Sequence, residues 1–417
     1  MHARSGSVYL AVLLTSLMVA SLSMCAITTA RYYARDLHEE ADLRHAQMSA
    51  DAALEWAIAK INAATDWRVA HVHNVDSSPQ TLGEATLRYR LIDSDGTLAD
   101  DPLDPCDLLV TAQVRNATFC WRATLEADGG PLSCLTHAAS ARTGITPQLT
   151  ALWATDGSVA SGGNIGVPLG ASLVANCNAV GSISGSIYGS RTTIAAKDLV
   201  IPSASVLEPY LKMGTAIPAG LLPSLLGTLR LEKQLLSAQA NTISGQLNPA
   251  AIYVIDCQNQ SVVISNSRLQ CTLVLTNVGS SSRVEQSVFW EAGRADYPAL
   301  LVDGRFEFAL TRDPLSETTV NFNPPGTPYR GVADSTNTSV YPSQLRGLFY
   351  ASGRVQINTA SSTSDIFGLV ISGENIQGSS NLCIHYRGVL AQYPPPGFRS
   401  FDKVRIAAGT LRRVPVP

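Results

Sequence analysis

The chain has 417 residues, with 30 Lys and Arg against 33 Asp and Glu and a formal net charge of −3. There is no basic surplus to neutralise phosphates, so nucleic acid is excluded as a class of partner. Hydrophobic residues make up 45% and charged residues only 15%, which predicts a packed core rather than disorder. The 31 Gly and 22 Pro predict many turns and hence many short strands.

The chain opens with the short basic stretch "MHARSG", followed by 23 uncharged residues from Val8 to Ala30. As a helix this run rises ~34 Å, enough to cross a hydrocarbon core of roughly 30 Å. A secretory signal ending at Thr28-Thr29-Ala30, a lipoprotein site at Leu22-Ser23-Met24-Cys25 and an uncleaved single-pass anchor are the alternatives. From Arg31 to Ala64 there is no Gly or Pro, and Ala50, Ala53, Leu54, Ala57, Ile58 and Ile61 recur at helical spacing. The membrane span is therefore expected to continue, unbroken, into an amphipathic half that packs on a folded head. Basic residues stand at both ends of the run (His2 and Arg4, then Arg31 and Arg35), so charge alone does not orient it.

Residues 82–93 ("LGEATLRYRLID") and 108–126 ("LLVTAQVRNATFCWRATLE") alternate apolar and polar positions. Such runs predict antiparallel strands of a small sheet that buries the helix stripe. Between them, Asp93, Asp95, Asp100 and Asp101 form a candidate Ca²⁺ cluster, though without the spacing of an EF-hand. The competing reading is a solvated acidic turn. His71 and His73 share a strand face and are read as surface residues.

A short basic leader ending in Gly, then at once an apolar helix, an amphipathic half and a β-rich stretch resembles the type IV pilins and pseudopilins. The likeness is to their minor, pilus-assembly (PilX-like) members and covers about 60 residues. It implies cleavage by a prepilin peptidase between Gly6 and Ser7, with the helix kept in the mature protein. It also implies a helix packed on an antiparallel sheet, an inner-membrane location with the N-terminus inside, and other pilin-like subunits as partners. Ser7 stands where the family usually has an aromatic residue or Met, and Ala11 where major pilins have Glu. The missing carboxylate at Ala11 points away from the bulk polymer.

Of the eight Cys, none forms a Cys-x-x-Cys pair, so neither a zinc ribbon nor a redox pair is indicated. Cys106, Cys120 and Cys134 are near in sequence and are the candidate disulfide partners; the alternative is that they are small buried hydrophobes.

From about residue 149 the composition shifts to Ser, Gly, Asn and Thr with short β-branched runs. "GLFYASGRVQI" from Gly347 and "GLVISGENIQG" from Gly368 repeat with a period of 21, followed by "LCIHY" at 382–386. This is the signature of a β-helix-like solenoid, with a β-sandwich as the alternative. Residues 195–249 read as a partly helical insertion or cap, with a helical-looking stretch from Pro223 to Ala240.

The expected fold is thus α+β followed by all-β. Its segments are leader 1–6, helix 7–66, sheet 67–135, solenoid 145–194 and 250–398 around the insertion 195–249, and a tail 399–417. No nucleophile elbow, zinc-protease motif, phosphate loop or dinucleotide fingerprint occurs, and Ile183 stands where "GSISG" would need its nucleophile. No cofactor is expected and no catalytic residue is assigned. Asp303, Arg305, Arg312 and Asp313 are the candidates should the solenoid act on polysaccharides. The leading expectation is a non-enzymatic, pilin-like envelope protein whose extracytoplasmic head meets a glycan or surface ligand. The alternative is a glycan-active or glycan-binding β-helix protein on a simple anchor.

Overall fold

The computed structural model describes residues 5–64, 66–99, 104–319, 327–329, 332–334, 336, 338–358 and 364–415. These fall into two compact units, one built from residues 1–128 and 401–417, the other from 129–400.

In the first unit, α1 (Ser5–Ala63) is one helix of 59 residues. With neither Gly nor Pro from Ser7 to Ala63, nothing interrupts its hydrogen-bond ladder. Its last turns lie on an antiparallel sheet of β1 (Gln80–Leu82), β2 (Ala85–Asp93), β3 (Cys106–Val114) and β4 (Ala117–Ala127). Ala46, Ala50, Ala53, Leu54, Ala57 and Ile61 are buried there, and Ile58 is half-buried against the same core. The sheet answers with Leu87, Tyr89, Leu91, Leu108, Val110, Ala112 and Phe119, all buried. A row of alanines brings helix and sheet backbones close, at little side-chain entropy cost.

The segment expected to be a tail has strands of its own. Val404–Ile406 and Arg412–Arg413 pair antiparallel with β4. Asn62 locks the first of them to α1: its Nδ2 donates to the Val404 carbonyl at 3.0 Å and its Oδ1 accepts the Val404 N–H at 2.7 Å.

In the second unit, parallel strands stack into a β-helix-like ladder with three faces. The 21-residue repeat falls in register, Gly347 opposite Gly368 and Tyr350 opposite Ile371. Gly368 has φ +153°, and a Cβ there would lie 1.9 Å from the Gly347 carbonyl oxygen, so two rungs meet backbone to backbone at this point. Inside, one apolar row runs Phe306, Val355, Ile376, Ile145 and Ile165 through successive rungs, with the half-buried Ile183 at its end. Burying each such side chain contributes on the order of 1.5–3 kcal/mol.

The rungs are not stacked in chain order. The chain enters the middle of the ladder at Ala139–Ala141 and winds to one end at Arg191–Thr193. It resumes at the other end, where Thr228–Glu232 pairs with Ser261–Ser265, and winds back. The last rungs then close on the first: Val370 pairs with Ala139, Ile376 with Ile145 and Leu382 with Trp153. Residues 196–213 lie along one side of the solenoid. Tyr350 donates its hydroxyl to the Pro202 carbonyl at 3.0 Å, and Tyr210 donates to Pro396 at 3.0 Å.

Two expectations need correction. Pro223 to Ala240 is not helical: Ser224–Leu225, Thr228–Glu232 and Leu235–Leu236 are strands. The turn between the first two has φ +52° at Leu226 and +75° at Gly227, the conformation that closes a two-residue hairpin. The cysteines are unbridged. Cys106 pairs across from Leu125 and Cys120 across from Thr111, so strand alternation puts the two thiols on opposite faces of one sheet. Cys134 belongs to the other unit.

Candidate functional site

From Val8 to Ala41 every residue of α1 is exposed, including Leu10, Leu13, Leu14, Leu17, Met18, Leu22 and Ile27. This half is long and apolar enough to cross a membrane. All six Ser and Thr side chains between Val8 and Ala30 donate back to the helix. Thr15 donates to the Ala11 carbonyl at 3.0 Å, Ser16 to Leu13 at 2.9 Å and Ser21 to Met18 at 2.9 Å. Ser23 donates to Val19 at 2.8 Å, Thr28 to Met24 at 2.9 Å and Thr29 to Cys25 at 2.8 Å. None of these six hydroxyls is left needing water, as a hydrocarbon environment demands.

Tyr9 and the pair Tyr32-Tyr33 bracket the run. At 1.5 Å per residue they stand ~35 Å apart, the placement of aromatic belts at the two interfaces of a bilayer. Beyond them the helix turns polar, and Arg35–Glu39 at 2.8 Å and Arg44–Glu40 at 2.5 Å are exposed pairs one turn apart. Gly6 and Ser7 lie in the first turns of α1, and Ala11 is on its exposed half.

The acidic turn holds a different arrangement from the one expected. Asp93 is buried, and its Oδ2 lies 3.6 Å from Nη1 of Arg68, itself buried. Arg68 also donates to the carbonyls of Leu98 and Asp104 and stacks over Trp67. A fixed guanidinium thus supplies positive charge beside Asp93. Asp95 and Asp104 bring carboxylates within 4.8 Å of that of Asp93, and Asp95 Oδ1 accepts the Thr97 N–H at 2.9 Å as a turn bond. Asp100 and Asp101 lie outside the described residues. His71 and His73 both serve the fold. His71 Nδ1 donates to the Trp67 carbonyl at 2.7 Å, which leaves Nε2 to accept from the Tyr89 hydroxyl at 2.8 Å. His73 Nδ1 accepts the Asp93 N–H at 3.0 Å.

The solenoid candidates are taken up in separate contacts. Asp303 Oδ1 accepts from Ser352 Oγ at 3.0 Å, whereas Arg312 pairs with Asp365 at 3.3 Å. Arg305 and Asp313 are exposed. A group that sequence reasoning passed over is Asp365, Cys383 and His385, which the parallel register brings together. Cys383 and His385 share one short strand two residues apart, and that spacing is the signal that would have found them. Burial raises the Cys383 thiol above its ordinary range, and the nearby carboxylates of Asp365 and Asp156 raise it further.

No protein-family profile matches the chain, and no curated protein matches it. Solved structures that align with it include the following. The competence-associated pilin ComZ from Thermus thermophilus aligns over 89% of this chain and 96% of its own, at 10% identity and a TM-score of 0.28. An ice-binding protein from Antarctomyces psychrotrophicus aligns over 61% of this chain and 97% of its own, at 14% identity and a TM-score of 0.24. An ice-binding protein domain from Shewanella frigidimarina aligns over 63% of this chain and 100% of its own, at 11% identity and a TM-score of 0.25. TM-scores this low do not establish a common fold.

Proposed function

We propose that this chain is a membrane-anchored, non-enzymatic, pilin-like protein of the cell envelope. It serves as a minor subunit or assembly factor of a type IV pilus or a related secretion system. Its N-terminus is cytoplasmic, its helix sits in the inner membrane, and its solenoid is carried outside.

The observation that carries this reading is the division of α1. One half packs on its own antiparallel sheet, and the other is exposed and carries an apolar run whose Ser and Thr hydroxyls all bond back to the helix. A discarded signal peptide needs no rigid continuation into a folded unit, whereas a helix that docks among neighbouring helices in lipid does. The sequence of the leader supports cleavage after Gly6. Alanine at position 11 removes the carboxylate that a major pilin would present, which supports a specialised role. The separate engagement of Asp303 and Arg312 supports a binding or structural head over a catalytic one.

The test is the intact mass and N-terminal sequence of the protein extracted from membranes. A mature chain starting at Ser7 is expected. A chain starting at Arg31, or one recovered in the soluble fraction, overturns the reading.

A further inference from the structure

We propose that Asp365, Cys383 and His385 form a binding site for a zinc-class divalent cation where the two windings of the solenoid meet. Asp365, on strand Ser364–Ser372, stands opposite Cys383 on strand Leu382–Tyr386. His385 follows two residues later, so strand alternation directs its ring to the same side as the thiol. Cys383 Sγ lies 3.6 Å from His385 Nε2, and a carboxylate oxygen of Asp365 completes a set of atoms all within 4.8 Å of one another.

These spacings are those of a tetrahedral centre. Bonds of about 2.3 Å to sulfur and about 2.0–2.1 Å to nitrogen, at the tetrahedral angle, put the two ligand atoms about 3.6 Å apart. The imidazole is already oriented, stacked on Phe367 with centroids 4.5 Å apart and planes 18° from parallel. All three ligands are half-buried, which leaves a fourth position open to water, as in three-ligand zinc sites. One sulfur, one imidazole nitrogen and one carboxylate oxygen suit zinc or cobalt and not the all-oxygen preference of calcium or magnesium. Arg312 opposes the cation, since its Nη2 is 3.3 Å from Asp365 Oδ2. Its side chain is 57% exposed, though, and can swing into solvent.

The location gives the site a structural consequence. Leu382–Ile384 pairs with Trp153–Thr155, so the strand that carries Cys383 is one of the three that close the late rungs onto the early ones. A cation held between Asp365 and Cys383 ties that closing strand to the rung before it. Ligand binding to the folded state alone raises its stability by mass action.

The experiment is a CoCl₂ titration of the full chain, purified in detergent, stripped with chelator and kept reduced with a phosphine. The expected result is one equivalent bound, a thiolate-to-cobalt charge-transfer band, and a higher Tm with metal. Cys383→Ser loses the band, and Arg312→Ala binds cobalt more tightly. A wild-type chain with no such band, or a band that persists in Cys383→Ser, overturns the proposal and leaves the Cys383–His385 contact as a plain hydrogen bond. If Cys383→Ser does not fold, as judged by far-ultraviolet circular dichroism, His385→Gln carries the test. It should weaken cobalt binding by about tenfold or more, and an unchanged affinity refutes the site.

Discussion

Ile376 and Ile145 stack in register inside the solenoid, although they belong to opposite ends of its chain path. Both are fully buried. Ile376 comes from the winding that finishes last and Ile145 from the one laid down first. The core is therefore continuous only when both have formed, and the two windings should unfold together.

Truncating either residue tests this. Ile145→Ala and Ile376→Ala should each cost about 2–5 kcal/mol, the usual range for a buried aliphatic reduced to alanine. Because the two residues are register partners in one core, the double variant should cost less than the sum. Chemical denaturation followed by circular dichroism reads both. Strict additivity would mean that the windings do not share a core here.

Gly368→Ala should destabilise the solenoid by about 2 kcal/mol or more, from a backbone angle that side chains avoid together with a clash on the carbonyl of Gly347. Gly166→Ala, in the same solenoid where a Cβ meets nothing within 4 Å, is the control and should be close to neutral. Their melting temperatures should separate clearly.

Arg68→Met leaves Asp93 as a buried carboxylate without its cation. Breaking a buried pair in this way costs about 3–5 kcal/mol. The double change Arg68→Met with Asp93→Leu should recover most of the loss, since it is the lone charge that is costly. Thermal unfolding of the three variants decides the point. A double variant as unstable as the single one would show that the cost comes from the other contacts of Arg68, to the carbonyls of Leu98 and Asp104 and the ring of Trp67.

His137 is half-buried, and burial lowers its pKa below the ordinary value near 6.5. Its Nδ1 lies 2.7 Å from Ser158 Oγ. The unfolded chain then binds a proton that the folded one resists, so stability rises with pH through this region. The contribution is complete above the ordinary pKa and is lost as pH falls below it. Melting curves between about pH 7.5 and pH 5 should show a smaller acid-side decline for His137→Gln than for the unaltered protein. Equal declines would place the acid sensitivity elsewhere.

The parts of this fold legible in the sequence are those set by near neighbours. The helix could be read because its stripe from Ala50 to Ile61 keeps one period and nothing breaks it. The pairing of Gly347 with Gly368 could be read because one rung is one repeat. Pro223 to Ala240 was misleading because its leucines fit two periods. Leu229 and Leu231 alternate into the core as a strand, while Leu226 sits exposed in a turn of a type usually marked by Asn-Gly. The buried partner of Asp93 was hidden for another reason: nothing in the local chemistry of Arg68 says which carboxylate it will meet.

What the sequence determined by itself is the long helix, its apolar half and the rung-sized repeat, because hydrogen bonds within a helix and stacking of like on like depend on spacing along the chain. Only the tertiary structure decided that the last rungs close on the first, that Val404–Ile406 completes the sheet under α1, and that Asp365 meets Cys383 and His385. These contacts join segments far apart in the chain. They form because each exposed strand edge must find a partner for its backbone, and that requirement does not specify in advance which segment will answer it.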